Sequence, residues 1–134
     1  MFTRLTFEAH AIRLMGVKAC RELFEPIFLF RTEELLLAAL VDERGLLVEL
    51  LAEPGTREAV AVRTSSVLRR AVAIKAAGVV LAHNHPSGDP RPSASDKNWT
   101  RMFALQCEAL AIELVDHLLF GGEEPVSMRA AGLL

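Results

Sequence analysis

The residues best suited to chemistry lie in one short stretch of the chain, between His83 and Asp96. His83 and His85 close an apolar run over residues 77–82, which is typical of a buried strand. Side chains alternate between the faces of a strand, so residues two apart point the same way, roughly 6.5 to 7 Å apart along the chain. Two imidazoles on one face can bind a single ion, and the spacing therefore predicts a metal-binding pair.

The residues after this pair predict a rim and a third ligand. Pro86 cannot continue a central strand, and residues 87–90 are typical of a turn, so the strand should end beside the histidines. Ser93 is the expected N-cap of a helix, with Asp96 in its first turn, where a carboxylate can reach back over the strand end. Two imidazole nitrogens and one carboxylate oxygen leave the fourth position of a tetrahedral zinc ion for water. We therefore expect an open, catalytic zinc site with one Zn²⁺ per chain.

Each part of the pattern also has an ordinary structural explanation. Ser93 and Asp96 match a capping-box variant, which needs no metal. Two histidines at this spacing on a strand, taken alone, are more often an exposed polar pair than ligands. The two features joined by a turn rich in proline and glycine favour the metal site.

The pattern His-Asn-His-Pro-Ser-Gly-Asp-Pro-x-Pro-Ser-x-x-Asp over residues 83–96 resembles the JAMM (MPN-plus) metalloprotease motif of the bacterial RadC branch. The resemblance spans about residues 34–134 and includes Gly55-Thr56 and the segments 78–82, 115–121 and 127–134. It implies an α/β fold, with a single mixed-sheet domain flanked by helices, in the JAMM/MPN architecture related to the cytidine deaminases. It also implies a zinc-dependent peptidase or isopeptidase that uses a zinc-activated water.

The same resemblance implies roles for two further residues. The family has a glutamate just before a buried strand, and Glu34 stands at the matching position, eight residues before Asp42. Glu34 is therefore the expected general base, and Glu33 is the alternative if the register slips by one. Ser93 is the expected hydrogen-bond donor to the oxyanion. The alternative is that both glutamates are ordinary charged residues at a strand edge.

Asp116 and His117 form the remaining polar pair in an apolar stretch. One interpretation is that the pair lies behind the metal ligands and holds a ligand histidine in the required tautomer, as metal-bound imidazoles commonly need. The other interpretation, which we favour, is that the two residues form a polar pair at a strand end that stabilises the sheet.

The composition limits the classes of protein to which the chain can belong. A chain of 134 residues with 51% hydrophobic content suits one compact domain. A net charge of −2 gives no general means of capturing nucleic acid, so a nucleic-acid partner is not expected, although it is not excluded. Cys20 and Cys107 match no zinc-finger spacing and fit buried thiols in the reducing cytoplasm. No segment reaches the roughly 18 to 20 apolar residues of a membrane span, so we expect neither export nor membrane insertion.

The periodicity of apolar residues predicts the order of elements. We expect a helix over 8–24 that is broken near Pro26, followed by a hairpin of strands over 35–41 and 46–51. A strand over 59–62 and a helix capped by 64–66 and ending at Gly78 should come before the histidine strand. A helix over 93–109 and late strands over 111–115 and 117–120 should complete the domain. RadC-type proteins usually carry a longer N-terminal region with a helix-hairpin-helix pair. We therefore expect residues 1–33 to be a truncated N-terminal helical segment and residues 34–134 to be the RadC-type JAMM domain.

Three classes of function follow. We favour a zinc metallopeptidase acting on a peptide or a protein conjugate. A DNA-repair or DNA-processing role is suggested only by the name of the RadC branch, and the charge balance opposes it. A non-catalytic metal-binding interaction module is opposed by the complete ligand set. Homo-oligomerisation is left open.

Overall fold

The computed structural model describes residues 3–5, 12–54 and 60–134, with only the backbone of residues 60–64. Within these ranges six strands form one sheet and three helices flank it. The elements in chain order are β1 (Thr3–Leu5), α1 (Gly16–Phe28), β2 (Leu35–Val41), β3 (Leu47–Pro54), α2 (Val60–Ala73), β4 (Gly78–Asn84), α3 (Ala94–Ala109), β5 (Glu113–Phe120) and β6 (Val126–Ser127).

The sheet is mixed and has the strand order β1-β3-β2-β4-β5-β6. β4 and β5 are parallel, whereas the other neighbouring pairs are antiparallel. Parallel neighbours need a crossover connection, and α3 supplies it. The predicted α/β class and the single mixed sheet flanked by helices are confirmed.

Helices cover both faces of the sheet, which explains why β2 is apolar at every position. Its odd-numbered residues face α1, which buries Cys20, Phe24 and Phe28 in the same cluster. The α1 segment before residue 34 therefore shares the core of the domain.

The even-numbered residues of β2 face α2 and α3 on the other side of the sheet. Val67 of α2 and Phe103 and Cys107 of α3 pack there against the central strands. Cys20 and Cys107, both free thiols, are thus buried in different clusters on opposite faces. Burial raises the pKa of Cys20 to about 11 and that of Cys107 to about 12, so both thiols are protonated at neutral pH.

The first helix lies further along the chain than the predicted range of residues 8–24. The observed helix begins at Gly16, and residues 8–11 lie outside the described ranges. Pro26 lies inside the helix, two residues before its end at Phe28, so it does not break the helix where we expected. Residues 12–15 instead lead into the helix along the hairpin, where Arg13 forms an isolated bridge with Leu46.

Other boundaries also differ from the sequence prediction. The predicted strand over 59–62 was wrong for its described part, because α2 begins at Val60; residue 59 lies outside the described residues. Residues 64–66 therefore lie inside the helix and do not cap it, and the helix ends at Ala73, before Gly78. The two late strands are one strand, β5, with a register shift beside Val79 and Val80. Gly55 and Thr56 lie outside the described ranges.

The hairpin and the helix after the histidines are present as predicted, but the second hairpin strand runs over Leu47–Pro54 and not over 46–51. β2 and β3 pair antiparallel, and α3 begins after an N-cap at Ser93. Among the residues that the structure describes, no helix has the length and apolarity needed to cross a membrane.

The α1 face allows a direct test of the core. Phe24 is fully buried, and its ring packs in an edge-to-face arrangement with the Phe120 ring, with centroids 6.4 Å apart. We expect Phe24→Ala to lower the free energy of unfolding by about 3 to 5 kcal/mol, because it leaves a cavity. Val17→Ala, on the exposed part of the same helix, should change it by less than about 0.5 kcal/mol in the same urea titration. Equal effects of the two substitutions would contradict this packing.

Candidate metal centre

Three side chains converge at the end of β4. His83 Nε2 and His85 Nε2 lie 2.8 Å apart, and carboxylate oxygens of Asp96 lie 3.6 Å from the first and 3.3 Å from the second. Over the described ranges, His83, His85 and Asp96 form a group whose ligand atoms all lie within 4.8 Å of one another. The structure thus brings together the three residues that we predicted as ligands.

The ends of β4 and α3 create this convergence. β4 ends at Asn84, but His85 N still donates to Phe120 O at 2.7 Å, so the chain stays alongside β5 for one further residue. His85 therefore keeps the extended path that turns it to the same side as His83. α3 begins over the same edge, at the carboxyl end of β4, where open α/β sheets commonly bind ligands.

The capping box of α3 holds the Asp96 carboxylate in place. Ser93 N donates to Asp96 Oδ2 at 2.8 Å, and Asp96 N donates to Ser93 Oγ at 3.0 Å. The capping box and the ligand cluster, which we treated as alternative explanations, therefore coexist. The helix cap orients the carboxylate over the histidines.

The Ser93 hydroxyl can donate a further hydrogen bond. Its Oγ accepts a hydrogen bond from Asp96 N, which leaves the hydroxyl hydrogen available, and the residue is exposed. Its role as an oxyanion donor stays a prediction, and this exposure is compatible with it.

The loop after the histidines holds the second predicted ligand, His85. His85 Nδ1 lies 2.8 Å from Asp89 O, which can only accept, so His85 Nδ1 must carry the hydrogen. The Asp89 carboxylate accepts from the backbone and the guanidinium of Arg91, and these hydrogen bonds hold the pKa of Asp89 at about 2. The Asp89–Arg91 pair thus stiffens the turn that orients the His85 ring.

The hydrogen on Nδ1 has a consequence for the other ring nitrogen. A neutral His85 presents a lone pair on Nε2, and this lone pair points at His83 Nε2, 2.8 Å away. Two neutral imidazoles and a carboxylate directed at one place suit a divalent cation with nitrogen and oxygen ligands, above all zinc. The donor set therefore fits the metal that the sequence predicts.

His117 lies directly behind His83. His117 Nε2 is 2.8 Å from His83 Nδ1, and Thr100 Oγ1 is 2.8 Å from His117 Nδ1. Burial and then the nearby histidines lower the pKa of His117 well below its ordinary value, so the ring is neutral at pH 7. The Trp99 and His117 rings also pack in an edge-to-face arrangement, with centroids 5.5 Å apart.

Asp116 faces the other side of the sheet. Its carboxylate accepts from the backbone N–H of His117 and Arg129 and from the hydroxyl of Ser127, and its charge contributes to the raised pKa of Cys20. It thereby holds the segment after β6 against β5. The two residues that we treated as one pair are thus separated: the His117 side chain contacts a predicted ligand, and Asp116 binds the C-terminal segment.

Glu34 lies at the edge of the site. It is exposed and directly precedes β2, in which Leu36 pairs with His83. Glu34 therefore lies beside the end of β2 that pairs with the histidine end of β4. Glu33, the alternative residue, is also exposed.

A buried amide fixes the backbone around Glu34. Asn84 Oδ1 accepts from Leu35 N at 2.7 Å, and Asn84 Nδ2 donates to Glu33 O at 3.0 Å. The Asn84 side chain therefore forms hydrogen bonds to the backbone on both sides of Glu34.

Four residues that support this site were not predicted from the sequence, namely Asn84, Asp89, Arg91 and Thr100. Thr100 follows Asp96 by four residues, so helical spacing placed it on the ligand face. Asn84 and Asp89 belonged to the motif, but their contacts depend on tertiary structure. Nothing in the sequence signalled Arg91.

Comparison with known proteins defines the family. The sequence model of the RadC-like JAB domain matches residues 14–133. A UPF0758 protein of Acidithiobacillus ferrooxidans is 36% identical over 119 residues, covering 84% of this chain and 46% of that protein. A UPF0758 protein of Pseudomonas fluorescens is 32% identical over 127 residues, covering 93% and 56% of the two chains. A third, from Ruegeria pomeroyi, is 45% identical over 80 residues, covering 60% and 36%.

The chain belongs to the RadC-like JAB domain family, as the resemblance of its motif implied. It matches only about a third to just over half the length of these relatives. The matched region includes α1 and extends through the C-terminal segment.

Close packing of Gly121 against the His85 backbone gives a test of the site. A Cβ atom on Gly121 would lie 2.8 Å from His85 O, so the loop that carries this ligand must shift. We expect Gly121→Ala to weaken zinc binding by roughly tenfold or more, measured by competition with a chelator.

Gly16→Ala is the matched control for this substitution. Gly16 has φ +83° and open space around it, so alanine should cost about 1 to 2 kcal/mol of stability through backbone strain and leave zinc affinity unchanged. Unchanged zinc affinity in Gly121→Ala would contradict the position assigned to His85.

Proposed function

We propose that this domain is a zinc-dependent hydrolase of peptide or isopeptide bonds. The observation that carries the proposal is the convergence of His83, His85 and Asp96 at an accessible strand end. Glu34 precedes the strand β2, which pairs with the strand of the histidines. Membership of the JAB domain family supports the same reaction class.

His83 and His85 would hold the ion through Nε2 and Asp96 through its carboxylate. These are three protein ligands, the number typical of a catalytic zinc site, whereas structural zinc sites usually have four. A zinc ion in such a site polarises a carbonyl and makes water nucleophilic at neutral pH.

The residues of the chain have separate tasks in this proposal. Glu34 accepts a proton from the attacking water and delivers it to the leaving amine. Ser93 donates its hydroxyl hydrogen to the carbonyl oxygen as negative charge develops there; the loss of one such donor typically costs on the order of 3 kcal/mol of transition-state stabilisation. Asn84 keeps Glu34 beside the histidines through its bonds to the flanking backbone.

The same proposal covers location and partners. Two buried free thiols suit a reducing compartment, so we propose a cytoplasmic protein that acts on a peptide or a protein conjugate.

Metal content tests the ligand assignment. We expect the purified protein to bind about one zinc ion per chain and the His83→Ala/His85→Ala double variant to bind none at this site, because only one protein ligand remains. Elemental analysis after dialysis measures both. A double variant that keeps the zinc content of the parent would show that the site lies elsewhere.

The Glu34→Gln variant tests the role of Glu34. Glu34→Gln should fold, bind zinc like the parent, and lose at least about a hundredfold in hydrolysis, the usual order for a general base. The assay uses the zinc-loaded protein with a library of fluorogenic peptides and isopeptides.

Glu33→Gln is the matched control, because it makes the same change one residue away at another exposed glutamate. It should retain the activity of the parent. The reverse result would show that the register before β2 is off by one, and loss of zinc from Glu34→Gln would contradict its role. A zinc-loaded parent that hydrolyses no member of the library would favour the non-catalytic binding module.

A further inference from the structure

A buried chain of hydrogen bonds joins two of the proposed ligands. It runs from His83 Nδ1 to His117 Nε2, from His117 Nδ1 to Thr100 Oγ1, and from Thr100 Oγ1 to Asp96 O. The three distances are 2.8, 2.8 and 2.7 Å. Thr100 and His117 are completely buried. The chain thus begins at the ligand on β4 and ends at the backbone of the ligand on α3.

Counting hydrogens fixes the direction of this chain. Asp96 O has no hydrogen, so Thr100 must donate its single hydroxyl hydrogen there, and Thr100 Oγ1 can then only accept from His117. His117 Nδ1 therefore carries the hydrogen of the neutral ring, and His117 Nε2 presents a lone pair. His83 Nδ1 must donate to that lone pair, so in a neutral His83 ring Nε2 carries the lone pair, which faces the metal site.

We propose that Thr100 and His117 are positioning residues that set the tautomer of His83, so that its Nε2 is ready to bind the metal. The inference rests on the proposed metal site and not on the proposed peptidase activity. Thr100 acts through His117, and neither residue contacts the ion or the substrate.

A purely structural role would not need both bonds of Thr100. Threonine hydroxyls inside helices often donate to the carbonyl four residues earlier, and this bond alone satisfies Thr100. In the second bond, Thr100 Oγ1 accepts from His117, a buried imidazole that itself contacts His83. Through this bond the hydroxyl determines which nitrogen of His117 carries the hydrogen.

The partner of His83 also sets the charge of the site. Ligand histidines often donate to a carboxylate, which raises their basicity. Here the acceptor is an imidazole without the charge of a carboxylate, so Asp96 would supply the negative charge among the three ligands. A less basic ligand set leaves more positive charge on the ion.

The test compares Thr100→Val, which keeps the shape and removes the hydroxyl, with Thr100→Ser, which keeps the hydroxyl. Long-range ¹H–¹⁵N correlation spectra of the metal-free protein report which ring nitrogen of His117 carries the hydrogen. We expect Nδ1 in the parent and in Thr100→Ser, and a shift of the hydrogen to Nε2 in Thr100→Val. Zinc affinity, from chelator competition, should fall roughly ten- to a hundredfold in Thr100→Val and stay close to the parent in Thr100→Ser.

Thr32→Val is the control, because it removes a hydroxyl from an exposed residue and should change neither readout. The proposal is overturned if the metal-free parent carries the hydrogen on His117 Nε2, a measurement that needs no variant. It is also overturned if Thr100→Val keeps the parent tautomer and zinc affinity while losing only thermal stability. The tautomer is read without metal or substrate, so its result is independent of whether the protein hydrolyses peptides.

Discussion

The arrangement of the site depends on two imidazole nitrogens that face each other across 2.8 Å. Asp89 O holds the hydrogen of His85 on Nδ1, and this forces the His85 lone pair toward His83. Nitrogen lone pairs at this distance repel unless a positive charge lies between or beside them. The neighbouring contacts therefore hold together three donor groups that could bind a cation.

Different elements meet this requirement by separate means. The helix cap at Ser93 orients Asp96, the Asp89–Arg91 pair stiffens the loop of His85, and His117 supports His83 from the core. Asn84, between the two histidines, points its amide to the start of β2 and holds the backbone beside Glu34. Because each contact uses a different element, the site depends on the correct packing of α3, β2, β4 and β5 together.

Local sequence was sufficient to predict part of this arrangement. The period of two at His83 and His85, the capping signal at Ser93 and the apolar run of β2 each reflect short-range geometry, and the structure agrees with them. The role of the Asp116–His117 pair could not be derived in the same way, because the register shift in β5 and the packing of α3 decide which neighbour each side chain meets. The apolar residues at 60–62 resemble a strand locally, and tertiary context overrides that weak preference in favour of α2.

The most direct test of the account is X-ray absorption spectroscopy at the zinc edge of the zinc-loaded protein. The account predicts a first shell of nitrogen and oxygen only, at about 2.0 to 2.2 Å, with the outer-shell scattering of two imidazoles. A sulfur scatterer at about 2.3 Å, or a first shell without imidazole, would contradict the assignment of the ion to His83, His85 and Asp96.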